Sequence, residues 1–352
     1  MDKVADTTAD DEAETKPDDV AETKPAEEAG TNPAERAVRA VDLFQQRHTA
    51  LAVPVAVVRK FGDDGGGVLA TSLAYSTFVA VFPLLLLLVT ILGFVLGRSE
   101  DAEDAVLRSA LVEFPILGDQ VVESLQPLRG SGVALAIGTL GLVWGGFGVT
   151  QAVQHSMAEI WNVPGVHRSG FVPRMARGAA VLGVGGVGLL ATSALASVST
   201  FSGGFSAGRV LAMVASALLN GALLTLLFRM TTVGSIPLRQ LVPGALLGGA
   251  VWTVLQALGG YLVGHQLRNA SQVYGFFATV LGLMSWIFLG ARVLLYAAEV
   301  NVVLARRLWP RSLVQPPLTE ADERALAALA HQQERRPEET VEVDFDHAED
   351  GA

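Results

Sequence analysis

The chain has 352 residues, 51% of them hydrophobic and 17% charged, with a formal net charge of −10 and no cysteine. The missing cysteine excludes disulfides, thiolate metal sites and thiol nucleophiles, and it leaves the redox compartment open. The negative balance belongs to the ends: 11 of the 35 acidic residues precede residue 35 and 11 lie from Glu320 onward, whereas residues 35–318 carry 19 basic against 13 acidic residues.

Residues 1–34 repeat a Pro/Glu-rich unit: Ala13-Glu-Thr-Lys-Pro17, then Ala21-Glu-Thr-Lys-Pro25, then the degenerate Ala29-Gly-Thr-Asn-Pro33. Such a composition cannot bury a core, so a disordered acidic tail is expected. It lacks the basic start and apolar run of a signal peptide. Residues 35–64 turn amphipathic, with Val38, Val41, Phe44, Leu51 and Val55 near helical spacing and Arg36, Arg39, Arg47, Arg59 and Lys60 between them. A basic amphipathic segment ahead of a membrane span is expected to lie along the interface, with Pro54 dividing it into two helical pieces. Packing on other loops is the alternative.

Six stretches without Asp, Glu, Lys or Arg come next, at 65–97, 130–158, 178–208, 210–228, 240–267 and 269–291. A helix rises about 1.5 Å per residue, so roughly 20 apolar residues cross a hydrocarbon core about 30 Å thick. Six in succession cannot be hidden in a soluble core. The fold expected is therefore all-α: a polytopic membrane protein with a six-helix transmembrane domain at 65–310. Residues 98–129 form the longest loop, acidic and with a short amphipathic helix predicted around Val106–Phe114. Residues 311–352 leave the membrane. There Thr319-Glu-Ala-Asp322 reads as a capping box opening a helix to about Arg336, and the acidic end reads as disorder.

Basic residues set the orientation. Thirteen of those flanking the spans fall on the side of the N-terminus, and five (Arg98, Arg108, Arg129, Arg209 and Arg268) fall on the other. The positive-inside bias predicts both termini in the cytoplasm and the 98–129 loop outside.

Gly183-Val-Gly185-Gly-Val-Gly188 spells the dinucleotide-binding G-x-G-x-x-G, but it lies within a span and no strand precedes it. Small residues that let helices approach closely are the better reading. The same reading applies to Gly93/Gly97, Gly141/Gly145, Gly244/Gly248 and Gly260/Gly264. No catalytic constellation is present: the six His are scattered, none at the i, i+4 spacing of a zinc helix, and there is no P-loop or G-x-S-x-G. Neither an enzyme nor a cofactor nor a metal site is expected.

Polar residues at membrane depth are the candidate site, since such groups usually face a bundle interior and find partners. In the last span, Arg292, Tyr296 and Glu299 share one helix face by steps of four and three. Glu299 is expected buried, its partner on another helix or a backbone donor. The alternative is that both charges sit near the interface and snorkel. Gln151, Gln154 and Glu159 form a second stripe, while Asn220 and Gln256 add hydrogen-bonding groups. Together these predict a polar pathway through the bundle. Pro83, in mid-span, is expected to kink the first helix.

The chain resembles the YihY/BrkB family of bacterial inner-membrane proteins. The residues that carry the resemblance are Ala74-Tyr-Ser-Thr-Phe-Val-Ala-Val-Phe-Pro83, Ile160-Trp-Asn-Val-Pro164, Ile236-Pro-Leu-Arg-Gln-Leu-Val-Pro-Gly-Ala245, Val273-Tyr-Gly275 and Ala297-Ala-Glu-Val-Asn301. Ala297 stands where the family usually has Gly. The resemblance covers roughly residues 45–310. It implies a multi-pass protein of the bacterial plasma membrane linked to envelope integrity, in a family once mislabelled as ribonuclease BN, with one branch proposed to move lipid A precursors. The function expected is translocation of a lipid or amphipathic solute through a polar groove. A non-transporting envelope scaffold that recruits partners through its tails is the alternative. The partner classes this allows are membrane lipids, a homo-oligomer and cytoplasmic partners of the tails. Nucleic acid is not among them.

Overall fold

The computed structural model describes residues 33–96, 132–168, 170–201, 207–232, 236–266 and 275–345. The tail repeats, the acidic 98–129 loop and its predicted helix lie outside these residues, apart from Pro33 and Ala34. Among the described residues there are helices and turns but no strand. Two short helices come first, α1 (Pro33–Gln46) and α2 (Thr49–Asp63). Six long ones come after them: α3 (Gly66–Leu96), α4 (Gly132–Ile160), α5 (Phe171–Phe201), α6 (Ala207–Thr231), α7 (Leu238–Gln266) and α8 (Gly275–Arg306). A last amphipathic helix, α9, spans Glu320–His331.

Among the described residues, five of the long helices have stretches apolar and long enough to cross a membrane, by length and composition: Gly66–Leu87, Gly132–Ile160, Val210–Thr231, Leu238–Gly259 and Val280–Arg306. α5 is as long: it opens on Arg174 and Arg177 and carries no further charge to its end at Phe201. The outward faces carry apolar stripes at helical steps, such as Val133, Ile137, Leu140 and Trp144 on α4 and Leu247, Val251, Val254 and Leu258 on α7, all exposed. Exposed apolar stripes of this length suit lipid rather than water as the neighbour.

Each long helix packs on its neighbours in chain order, and α8 closes on α3, so the six form a ring. Small residues set the closest seams. A Cβ at Gly145 would stand 3.0 Å from the Ala80 backbone, one at Gly249 only 2.4 Å from the Gly221 nitrogen, and one at Gly244 2.0 Å from the Ala297 carbonyl oxygen. The G-x-x-x-G reading holds at Gly141/Gly145 and Gly244/Gly248. At Gly183, Gly185 and Gly186 it does not: nothing stands within 4 Å of an added Cβ. α3 runs on through Pro83, whose ring lies 3.0 Å from where a Gly141 Cβ would be.

The break before α3 falls at Arg47-His48, not at Pro54, which sits exposed inside α2. α2 packs on α8 and buries Lys60 and Phe61. α1 turns Asp42 and Gln45 inward to hold the segment after α8. The Asp42 carboxylate accepts from the backbone N–H of Leu313 at 3.0 Å, and Gln45 donates to the Arg311 carbonyl at 2.7 Å. Arg311, buried to 1% exposure, pairs with Asp63 at 2.8 Å and Asp322 at 2.5 Å. The capping box at Thr319 and Asp322 is present.

Burial pushes the Asp322 carboxyl up, but hydrogen bonds from Arg311 and from the backbone of Thr319 and Ser312 outweigh it and hold it below its ordinary value. Asp42 is lowered in the same way, burial being outweighed by its bonds to Leu313, Gln45 and Val314. A depressed folded pKa stabilises above the unfolded value, and that contribution is lost as pH falls through the folded one. Residues 307–345 should therefore resist proteolysis at neutral pH and become cleavable below the ordinary carboxylate range. Asp322→Asn should move that release upward in pH.

Candidate functional site

The ring does not fill its own centre. It leaves a cavity of about 420 Å³, and all six long helices supply wall: Leu73, Val153, Gly185, Leu223, Trp252 and Ile287 come one from each. The size falls among ordinary ligand pockets. Gly185 helps to make the room, so this part of the glycine-rich run opens space where sequence reasoning expected close contact, whereas at Gly188 the close contact is present, an added Cβ standing 2.8 Å from the Leu223 side chain. Trp252 and Trp286 meet with ring centroids 5.9 Å apart, and Gly290 gives the Trp252 ring its space. The wall is overwhelmingly apolar. Its polar side chains are Thr77, Thr192 and Asn220, and Asn220 donates to Thr253 at 3.1 Å. The expected polar groove is thus an apolar chamber, because the helix faces that meet at the centre carry Val, Leu and Trp.

Towards the end where α2 lies, an aromatic layer borders this chamber. Phe61 stacks on Tyr296 at 4.1 Å, and the Arg292 guanidinium stands 5.7–5.8 Å from the rings of Phe61, Phe288 and Tyr296. Arg292 thus meets ring faces within the range of a cation–π contact. Ala291 and Leu294, beside it on α8, are chamber wall.

Beyond that layer is a buried ionic cluster. Glu299 is fully buried, and its partner comes from α2: the Lys60 ammonium lies 3.6 Å from a Glu299 oxygen, close enough for charge attraction but beyond hydrogen-bond distance. Lys60 donates to Asp64 at 2.5 Å and to the Ile160 carbonyl at 2.9 Å. Burial pushes the Asp64 carboxyl above its ordinary value, against the pull of Lys60. Asn162 donates to Asp64 at 3.3 Å and to Gln332 at 2.9 Å, tying α9 to the cluster. Asn162 can do so because it ends α4 in the left-handed region (φ 46°), while the Val163 N–H reaches back to the Ala158 carbonyl. Asn tolerates that conformation better than most residues.

The other candidates lie apart from the chamber. Gln151 accepts from Arg174 at 3.3 Å, and Gln154 donates to the Arg174 carbonyl at 3.3 Å. Glu159 pairs with Arg168 at 2.9 Å and accepts from Gln332. This stripe secures the α4–α5 connection. Gln256 is half-buried on α7, beyond Thr253. Of the eight sequence candidates only Asn220 lines the chamber. Sequence reasoning placed Lys60 at the lipid interface, used Asn162 only as part of a family motif and Arg311 only as a flanking positive charge, and gave no role to Asp64.

A family model described as "Virulence factor BrkB" matches residues 57–320. The chain is 27% identical over 256 residues to a UPF0761 membrane protein of Alcanivorax borkumensis, covering 70% of this chain and 58% of that protein. It is 24% identical over 277 residues to one of Pseudomonas paraeruginosa, covering 74% and 65%. It is 25% identical over 270 residues to one of Pseudomonas aeruginosa strain LESB58, covering 72% and 63%. The chain therefore spans about three fifths of the length of the curated relatives it matches. No solved structure matches it.

Proposed function

This chain belongs to the BrkB family of bacterial membrane proteins, and from that membership we propose that its helix ring carries the apolar part of an amphipathic lipid across the membrane, in support of the envelope. The observation that carries the reading is the chamber wall, drawn from six helices and almost wholly apolar. An acyl chain already rests in hydrocarbon, so entering such a chamber costs it little. A polar solute would lose hydrogen bonds to water at several kcal/mol per group. Thr77, Thr192 and Asn220 are available to the polar end.

Six spans with both ends on one face belong to the same proposal. Asp63 immediately precedes α3 and Arg311 comes soon after α8, yet the two side chains form an ion pair at 2.8 Å. An odd number of crossings would put them on opposite faces, which supports α5 as a span. The basic residues on that face support a cytoplasmic assignment. With no native cysteine to interfere, Asp104→Cys should react with an impermeant maleimide on intact cells. Arg36→Cys and Glu338→Cys should react only after permeabilisation. Labelling of Glu338→Cys from outside contradicts this orientation.

Translocation itself is tested in proteoliposomes carrying a fluorescent phospholipid whose outer-leaflet copies can be bleached. The protein should raise the bleached fraction above that of protein-free vesicles. Gly185→Trp, which fills open space in the chamber, should reduce the rate at least tenfold while the protein still folds. Equal rates with and without protein would count against transport and favour the scaffold.

A further inference from the structure

We propose that Lys60, Asp64 and Glu299 form a proton-binding site, in which the two carboxyls share one proton over a single buried ammonium. Three ionisable groups meet there with side-chain exposures of 2%, 1% and 0%. Lys60 spends its hydrogen bonds on Asp64 and Ile160, which leaves both Glu299 oxygens buried and without a hydrogen-bond partner. Fully ionised, the three would carry a net charge of −1 at a place no water reaches. An uncompensated buried charge costs several kcal/mol, and like-charged carboxyls held together do not both ionise. One added proton makes the cluster neutral and gives a protonated carboxyl a partner, since the two carboxyls are close enough to interact directly.

The surrounding charges bond to neither carboxylate. On α8, Arg306 is the nearest further cation and its charge attracts Asp64, but it spends its hydrogen bonds on the Trp161 carbonyl and the Asn162 side chain. On α2, Asp63 faces Arg311, and at the end of α4, Glu159 faces Arg168. Burial pushing the Asp64 carboxyl up agrees with a retained proton. Two groups of the site belong to α2 and its exit and the third to α8, so the proton joins these two elements whatever occupies the chamber.

Infrared spectroscopy of the purified full chain in lipid nanodiscs tests the site. A protonated-carboxyl C=O band should persist above pH 7, where ordinary carboxyls are ionised. Glu299→Gln and Asp64→Asn should each remove that band, because either leaves one carboxylate matched to Lys60 with no proton required. A native protein without such a band above pH 7, or a band that survives both substitutions, overturns the site. The native measurement decides even if one variant fails to accumulate.

Discussion

Gly244→Ala should nearly abolish accumulation of the folded protein in the membrane. The added Cβ would stand 2.0 Å from the Ala297 carbonyl oxygen and 2.7 Å from the Asn301 side-chain oxygen, and neither is the free end of a flexible chain. The Asn301 oxygen also accepts the Gly244 N–H at 2.7 Å, so helix separation would break a buried hydrogen bond as well. Overpacking a close-packed interior costs about 1–3 kcal/mol, occasionally more. A clash with backbone belongs at or above the top of that range. Gly183→Ala is the control, with nothing within 4 Å of its added carbon. Accumulation as a fluorescent-protein fusion and melting in detergent should separate the two sharply. Equal behaviour would mean that α7 and α8 do not approach as described.

Lys60→Met should be nearly as damaging. It keeps the length of the side chain and removes the one cation between Asp64 and Glu299. Breaking a buried ion pair by deleting one partner costs about 3–5 kcal/mol, because the other partner stays buried and unpaired. Glu299→Gln alone should be tolerated, since Lys60 keeps Asp64 and Ile160. Placed in the same chain, Glu299→Gln should recover part of the loss from Lys60→Met. Thermal melting of the four proteins forms the cycle, and a Lys60→Met melt equal to wild type would show that the charges are solvated.

The sequence announced the helices far better than what lies between them. Charge-free stretches mark lipid-facing and core-facing residues alike, so the long helices could be read directly while the chamber could not. Val184, Leu223 and Trp286 look like any other span residues until six helix faces are brought together. Glu299 was legible because a carboxylate inside an apolar run must find a partner. That its partner is Lys60 was hidden, because a lysine ahead of a span looks like one that reaches for lipid headgroups. The eight polar candidates looked like one pathway because a polar group at membrane depth signals a partner without saying which. For Gln151, Gln154 and Glu159 the partners are Arg174 and Arg168 in the α4–α5 connection and the start of α5, together with Gln332 beyond α9. Asp42 and Asp322 show the same limit: each lies far along the chain from a residue it holds, Leu313 and Ser312 in the one case and Asp63, through Arg311, in the other.

The most direct measurement on the chamber uses a phospholipid with a photoreactive group at the end of one acyl chain, activated in nanodiscs and mapped by mass spectrometry. Adducts are expected on wall residues such as Leu223, Leu227, Trp252 and Trp286, and Gly185→Trp should remove them. Adducts confined to outward-facing residues such as Leu211, Leu218, Leu247 and Leu258, unchanged by Gly185→Trp, would contradict a chamber that takes lipid.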